Sequence, residues 1–316
     1  MLKKKALVIK STGSWYTVKY EDKIINCRIR GKFRLKGIRN TNPIAVGDIV
    51  DFQILKEENI GLIKKIHERK NYIIRRSVNL SKRTQIIASN IDIAFLLITI
   101  EFPKTKTIFI DRFLATAEAY KIPIKLIFNK IDLFNEENLE KLKRLKKIYE
   151  NLSYECFETS AEKNIGISKI RDLIKNKISL FSGNSGVGKS TLINKIDKNL
   201  SLKTDEISNY HKKGKHTTTF AEMFFLEMGG AIIDTPGIKS FGTFDMKKEE
   251  ISHFFPEIFY YSRNCKYHNC MHINEPNCEV KNAVKKGEIN ISRYKSYINI
   301  LQSDENEKYR TSIYEK

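Results

Sequence analysis

Residues 178–196 read ISLFSGNSGVGKSTLINKI, and this stretch decides the fold. The apolar-start segment ISLFS precedes Gly183-Asn184-Ser185-Gly186-Val187-Gly188-Lys189-Ser190, and Thr191 leads into the helix-like TLINKI. Strand, glycine loop and helix form the setting that the pattern G-x-x-x-x-G-K-[ST] requires. Gly183 and Gly188 let the backbone wrap close to phosphate oxygens, and the amides at the helix start point at the anion. Lys189 is expected to reach the β- and γ-phosphates, and Ser190 to ligate Mg²⁺. The expected core is therefore an α/β domain with a parallel sheet.

Upstream, the segment IPIKLIF runs into Asn129-Lys130-Ile131-Asp132. An Asp in N-K-x-D accepts hydrogen bonds from guanine N1 and N2, and the Asn helps hold the base. A second copy, Asn194-Lys195-Ile196-Asp197, lies in the helix leaving the phosphate loop. There the side chains spread around the helix instead of converging, so the first copy is read as the guanine site. Ser160-Ala161-Glu162-Lys163, preceded by Thr159, follows SYECFE and fits the second base loop, with the Ala161 amide as donor. GTP and GDP are the expected ligands.

Downstream, the apolar AII leads into Asp234-Thr235-Pro236-Gly237, a D-x-x-G turn. Asp234 is expected near Mg²⁺ and the Gly237 amide on the γ-phosphate. Between these motifs lies Gly214-Lys215-His216-Thr217-Thr218-Thr219, of which Thr217 or Thr218 is expected to close over Mg²⁺. Ile238 stands where many GTPases carry a Gln that orients water. An isoleucine cannot do so, which makes His216 the candidate catalytic group beside Lys189 and Gly237.

The flanks read differently. Within residues 1–75, ALVIKS, WYTVKY, IINCRIRG, DIVDFQI and IGLIKKI are short, β-branched and partly alternating. Five such strands suggest an OB-like β-barrel. Arg28, Arg30, Lys32, Arg34, Lys36 and Arg39 crowd one hairpin, suited to RNA or to a solvated edge. Residues 68–87 read as a basic connector. The unit at 76–247 is the α/β domain. From 248 to 316 the chain reads as a helical unit carrying Cys265-x4-Cys270-x-His272-x5-Cys278. Three thiolates and an imidazole make a closed tetrahedral Zn²⁺ site, which is structural. Both His268 and His272 are available as the fourth ligand. Lys266, Lys281, Lys285, Lys286, Arg293 and Lys295 surround it as further candidate RNA contacts.

Lys and Arg total 57 against 37 Asp and Glu in 316 residues, a formal charge of +20. A field of that sign suits a polyanion. No apolar run reaches membrane-spanning length, and MLKKKALVIK lacks the sustained apolar region of a signal peptide. Clustered cysteines without an export signal read as metal ligands in a reducing compartment.

The motif order is unusual: guanine loop, second base loop, phosphate loop, switch threonines, then D-x-x-G. This is the circularly permuted order. With a barrel before it and the cysteine run after it, the chain resembles the RsgA (YjeQ) family over essentially its whole length. The resemblance implies a cytoplasmic, monomeric GTPase that binds the small ribosomal subunit and its rRNA and acts in late maturation, with hydrolysis timing release. It also favours His272 over His268. One rival is a nucleotide-gated RNA-binding scaffold with negligible turnover, suggested by Ile238. Another is a permuted GTPase of large-subunit assembly, which is not expected to carry this barrel and zinc run.

Overall fold

The computed structural model describes residues 4–29, 42–55, 60–76, 84–200, 221–234 and 246–312. The five expected N-terminal strands form as β1 (Lys4–Ser11), β2 (Tyr16–Tyr20), β3 (Lys23–Ile29), β4 (Ile49–Leu55) and β5 (Ile60–Ile66). They close in the order β1-β2-β3-β5-β4-β1. All pairings are antiparallel except β3 with β5, which is parallel. That single parallel closure is what an OB-like barrel needs to seal five strands without an edge. It demands a glycine at Gly61, where a Cβ would stand 2.3 Å from the Cys27 sulfur. Val8, Tyr16, Val18, Cys27, Val50, Phe52 and Ile63 fill the interior.

The connector expected at 68–87 is a β-ribbon instead. Strands β6 (Tyr72–Arg76) and β7 (Thr84–Ser89) pair antiparallel. Alternation is weak in this polar stretch, so the hydrophobic pattern did not expose it. Ribbon and barrel are joined at the 44–48 loop. The Ser89 amide donates to Val46 O, and the buried carboxylate of Asp48 takes Ser89 Oγ and the Arg69 guanidinium. Gly47 is required there, because a Cβ would lie 2.0 Å from Ser89 O.

The α/β domain alternates strand and helix: β8 (Ile93–Ile98), α1 (Thr107–Ala119), β9 (Ile124–Asn129), α2 (Glu136–Glu150), β10 (Cys156–Thr159), α3 (Ile167–Ile174), β11 (Ile178–Gly183) and α4 (Lys189–Ile196). A hairpin of β12 (Glu222–Phe225) and β13 (Ala231–Asp234) completes it. The sheet order is β10-β9-β8-β11-β13-β12, parallel throughout except for β12. All six β8 residues are buried, as expected for a strand covered on both faces.

The C-terminal unit holds a 3-10 turn over Lys248–Phe254, then α5 (Pro256–Ser262), α6 (Glu279–Lys286) and α7 (Ile291–Ser312). Its apolar core includes Ala115 of α1. Arg293, read above as a candidate RNA contact, is 1 % exposed. Its guanidinium donates to Asp111 at 2.8 Å and to Glu257 at 2.7 and 3.2 Å, and it lies over the Phe255 ring. Tyr149 Oη also donates to Asp111. Charge alone suggested a surface role for Arg293, but two converging carboxylates hold it inside, as a buried guanidinium requires.

Candidate functional site

The carboxyl ends of β8, β9, β10, β11 and β13 lie along one edge of the sheet, where open α/β sheets bind ligands. The phosphate loop leaves β11 here. Gly183, Gly186 and Gly188 have φ of 154°, 83° and 88°. Only glycine reaches those angles without strain, and space is short as well. A Cβ on Gly183 would sit 2.9 Å from Leu97 O, and one on Gly188 would sit 2.5 Å from Asn129 Nδ2. Asn184 and Ser185 form the outer rim, Val187 is buried, and Lys189, Ser190 and Thr191 open α4. Ser190 is buried in the first turn of α4, at the positive end of the helix dipole.

Asn129 ends β9 at 1 % exposure and joins the two loops. Its amide donates to Val187 O at 2.8 Å, and its Oδ1 accepts from Thr159 Oγ1 at 2.9 Å. Lys130 adopts a left-handed conformation, and its ammonium donates to Gly186 O and Phe102 O at 2.6 and 2.8 Å. Asp132 is exposed on the turn that follows. Ser160 is buried, and its Oγ accepts from the Lys163 amide, shaping the loop that holds Ala161. The second N-K-x-D copy is used otherwise. Asp197 terminates α4, buried, and its carboxylate accepts from the amides of Asn199 and Glu227 at 3.0 and 2.9 Å.

Asp234 ends β13 beside β11, so its backbone comes to the same edge as Gly183. Ser190 and a strand-end Asp are an oxygen donor set that suits a hard divalent cation. His216, Thr217, Thr218 and Gly237 lie outside the described residues, as do Arg30, Lys32, Arg34, Lys36 and Arg39.

A second centre lies in the C-terminal unit. Cys265, Cys270, His272 and Cys278 bring one donor atom each to within 4.8 Å of one another. His272 Nδ1 is 3.6 Å from Cys265 Sγ and 3.4 Å from Cys278 Sγ, and those sulfurs are 3.9 Å apart. A zinc tetrahedron with ordinary bond lengths needs about 3.6 Å and about 3.8 Å for these separations. His268 is exposed and stands apart from the four. Burial pushes the Cys270 thiol up to about 12 and raises Cys278 as well. A cation is what lets such thiols ionise together. Burial also lowers the His272 pKa, favouring the neutral, ligating imidazole.

Several supporting residues carry no sequence signal. Glu275 accepts from the Met271 and Ile273 amides at 2.7 and 2.8 Å, so its carboxylate pins the backbone on both sides of His272. Tyr294 and Tyr297 donate to the carbonyls of His272 and Met271. The loop after β8, whose Phe102 carbonyl receives Lys130, was equally silent; its residues fit no motif.

A glycine-wrapped phosphate loop, an N-K-x-D turn hydrogen-bonded to it, and a chain order that runs through β8, β9 and β10 before the phosphate-loop strand β11 define a GTP-hydrolysing P-loop enzyme of circularly permuted connectivity. The RsgA GTPase domain matches residues 66–244, and the RsgA N-terminal domain matches residues 5–63. The chain belongs to the RsgA GTPase family. It is 57 % identical over 309 residues to the small ribosomal subunit biogenesis GTPase RsgA of Phocaeicola vulgatus, covering 98 % of this chain and 99 % of the relative. The like-named protein of Flavobacterium psychrophilum is 55 % identical over 311 residues, with 98 % and 95 % covered. Among solved structures, YjeQ from Thermotoga maritima superposes with a TM-score of 0.77 at 34 % identity, covering 96 % of this chain and 98 % of that one. YloQ, described as a circularly permuted GTPase, gives 0.73 at 29 % identity, with 97 % and 96 % covered. Among the described residues no helix is long and apolar enough to cross a membrane.

Proposed function

We propose that this chain binds the small ribosomal subunit and its rRNA, assists late maturation, and hydrolyses GTP to time its own release. The nucleotide half rests on one observation: Asn129 ties the guanine turn to the phosphate loop through Val187 and to the second base loop through Thr159. The ribosomal half rests on relatives of nearly equal length that are named for small-subunit biogenesis. In this reading residues 1–75 form the RNA-binding barrel, 76–247 the GTPase domain and 248–316 the zinc unit. The protein acts as a monomer in the cytoplasm.

Asp132 takes guanine N1 and N2, the Ala161 amide meets the base carbonyl, and Ser160 shapes that loop. Gly183 to Gly188 wrap the phosphates, Lys189 offsets their charge, and the Gly237 amide senses the γ-phosphate. Ser190, Asp234 and Thr217 or Thr218 would hold Mg²⁺, which would supply positive charge to the phosphates. With isoleucine at 238, His216 orients the attacking water. Zn²⁺ is structural and held by Cys265, Cys270, His272 and Cys278.

Cosedimentation with each ribosomal subunit in GTP, GDP and a non-hydrolysable analogue tests this. Small-subunit binding that depends on GTP and weakens steeply with salt is expected, since a +20 chain displaces many counterions. Equal binding to both subunits in every nucleotide state refutes the reading.

A further inference from the structure

The barrel meets the GTPase sheet at one particular residue. On β12, Glu222 pairs across the sheet with Asp234 of β13 on one side and with Lys10 of β1 on the other. Lys10 Nζ also reaches the Glu222 carboxylate at 3.0 Å. Three consecutive strands therefore place Lys10, Glu222 and Asp234 in one row, running from the barrel to the end of the D-x-x-G strand. Further along β12, Lys19 of β2 lies over the Phe225 ring, 3.9 Å from its centroid. Behind this edge, Ile9 of the barrel packs in the same apolar cluster as Met223 and Ile233.

The position of β12 in the chain gives this contact its meaning. It directly follows the segment containing His216, Thr217 and Thr218, and its partner strand ends at Asp234. The hairpin thus joins the two segments that respond to the γ-phosphate. The barrel also carries an RNA-suited surface on β3 and the turn before β2, where the Arg28 guanidinium stacks 3.8 Å from the Trp15 ring. The zinc unit is held on α1 by the buried Arg293 cluster. The junction next to the D-x-x-G strand belongs to the barrel.

We propose that Glu222 is a positioning residue that transmits engagement of the barrel by the ribosomal subunit to the strand end at Asp234. Lys10 fixes β12 on the barrel through an ion pair, and β12 sets the register of β13. This rests on the functional reading above and adds the route of its regulation. Coupling of this kind is reciprocal, so nucleotide state must also alter how tightly the barrel is held.

The test is hydrolysis by the full chain, with and without small subunits, in Glu222→Lys, Lys10→Glu, the double exchange and the neutral Glu222→Gln. Each single charge reversal is expected to lower subunit-stimulated kcat by about 5-fold or more. The unstimulated rate and the GDP affinity of the subunit-free protein stay unchanged. The double exchange restores stimulation, and Glu222→Gln falls between. Stimulated kcat equal to the parent in the reversals overturns the proposal. So does a loss that the double exchange fails to rescue, or one accompanied by equal loss of the unstimulated rate. Absence of stimulation in the unsubstituted protein instead overturns the functional reading, and this inference with it.

Discussion

The Asn129 side chain donates to Val187 O across 2.8 Å while accepting from Thr159 Oγ1, so one buried amide holds the phosphate loop and both base loops in register. Three segments separated by about 30 residues each in sequence are thereby set before nucleotide arrives. Pre-setting lowers the ordering cost of binding.

The two N-K-x-D copies make a clean comparison. Asp132→Asn is expected to weaken GTP binding at least 10-fold, or about 1.4 kcal/mol. Asp197→Asn leaves nucleotide affinity near normal but lowers stability by about 1 kcal/mol, because two backbone amides lose a charged acceptor. Titration with a fluorescent GDP, alongside denaturant melts, separates the two effects.

Lys189→Ala is expected to abolish hydrolysis, since the phosphate charge loses its main counter-ion. His216→Ala leaves GTP binding near normal and slows hydrolysis, most of all in the presence of small subunits. Single-turnover phosphate release measures both. Unchanged stimulated turnover in the histidine variant would remove His216 from the reaction.

One zinc ion per chain is expected by metal analysis, lost in Cys270→Ser. His268→Ala retains it, because that side chain stands outside the cluster. Glu275→Ala keeps all four ligands yet releases zinc faster to a chelator, since the amides flanking His272 lose their anchor. Partial burial opposes the Glu275 charge, but backbone amides, including those of Met271 and Ile273, hold its pKa below the usual range. A carboxyl with a depressed folded pKa contributes fully above its unfolded value, near 4.3, and loses that contribution as pH falls through the folded one. The anchor is therefore complete at neutral pH.

Arg293→Met is expected to cost about 3–5 kcal/mol, because Asp111 and Glu257 are left buried without their partner. Replacing all three together, with Asp111→Leu and Glu257→Leu, recovers most of that loss. Urea melts followed by tryptophan-independent circular dichroism read the difference. A single-variant cost below 1 kcal/mol would show that the cluster does not hold the zinc unit on α1.

What the sequence by itself determined is the chemistry that short motifs encode. Gly183 to Ser190 require a strand, a tight loop and a helix in immediate succession, so their geometry is local and spacing alone reveals it. The order of Asp132, Lys189 and Asp234 along the chain likewise displays the permutation without any coordinates. Five alternating runs before residue 67 sufficed for a barrel, since period and turn residues act within a few positions. Tertiary structure decided everything that depends on meetings between distant segments. Two identical tetrapeptides became a strand-end turn tied to the phosphate loop and a helix terminus, because only one ends a parallel strand beside that loop. Arg293 looked like one more surface cation until Asp111, 182 residues away, came to its guanidinium. His272 separated from His268 by reaching the sulfurs, and the basic connector became a ribbon by pairing with itself. Lys10, Glu222 and Asp234 share a row only after three strands are laid side by side, because hydrogen-bond register across a sheet is set by packing and leaves no periodic trace in the chain.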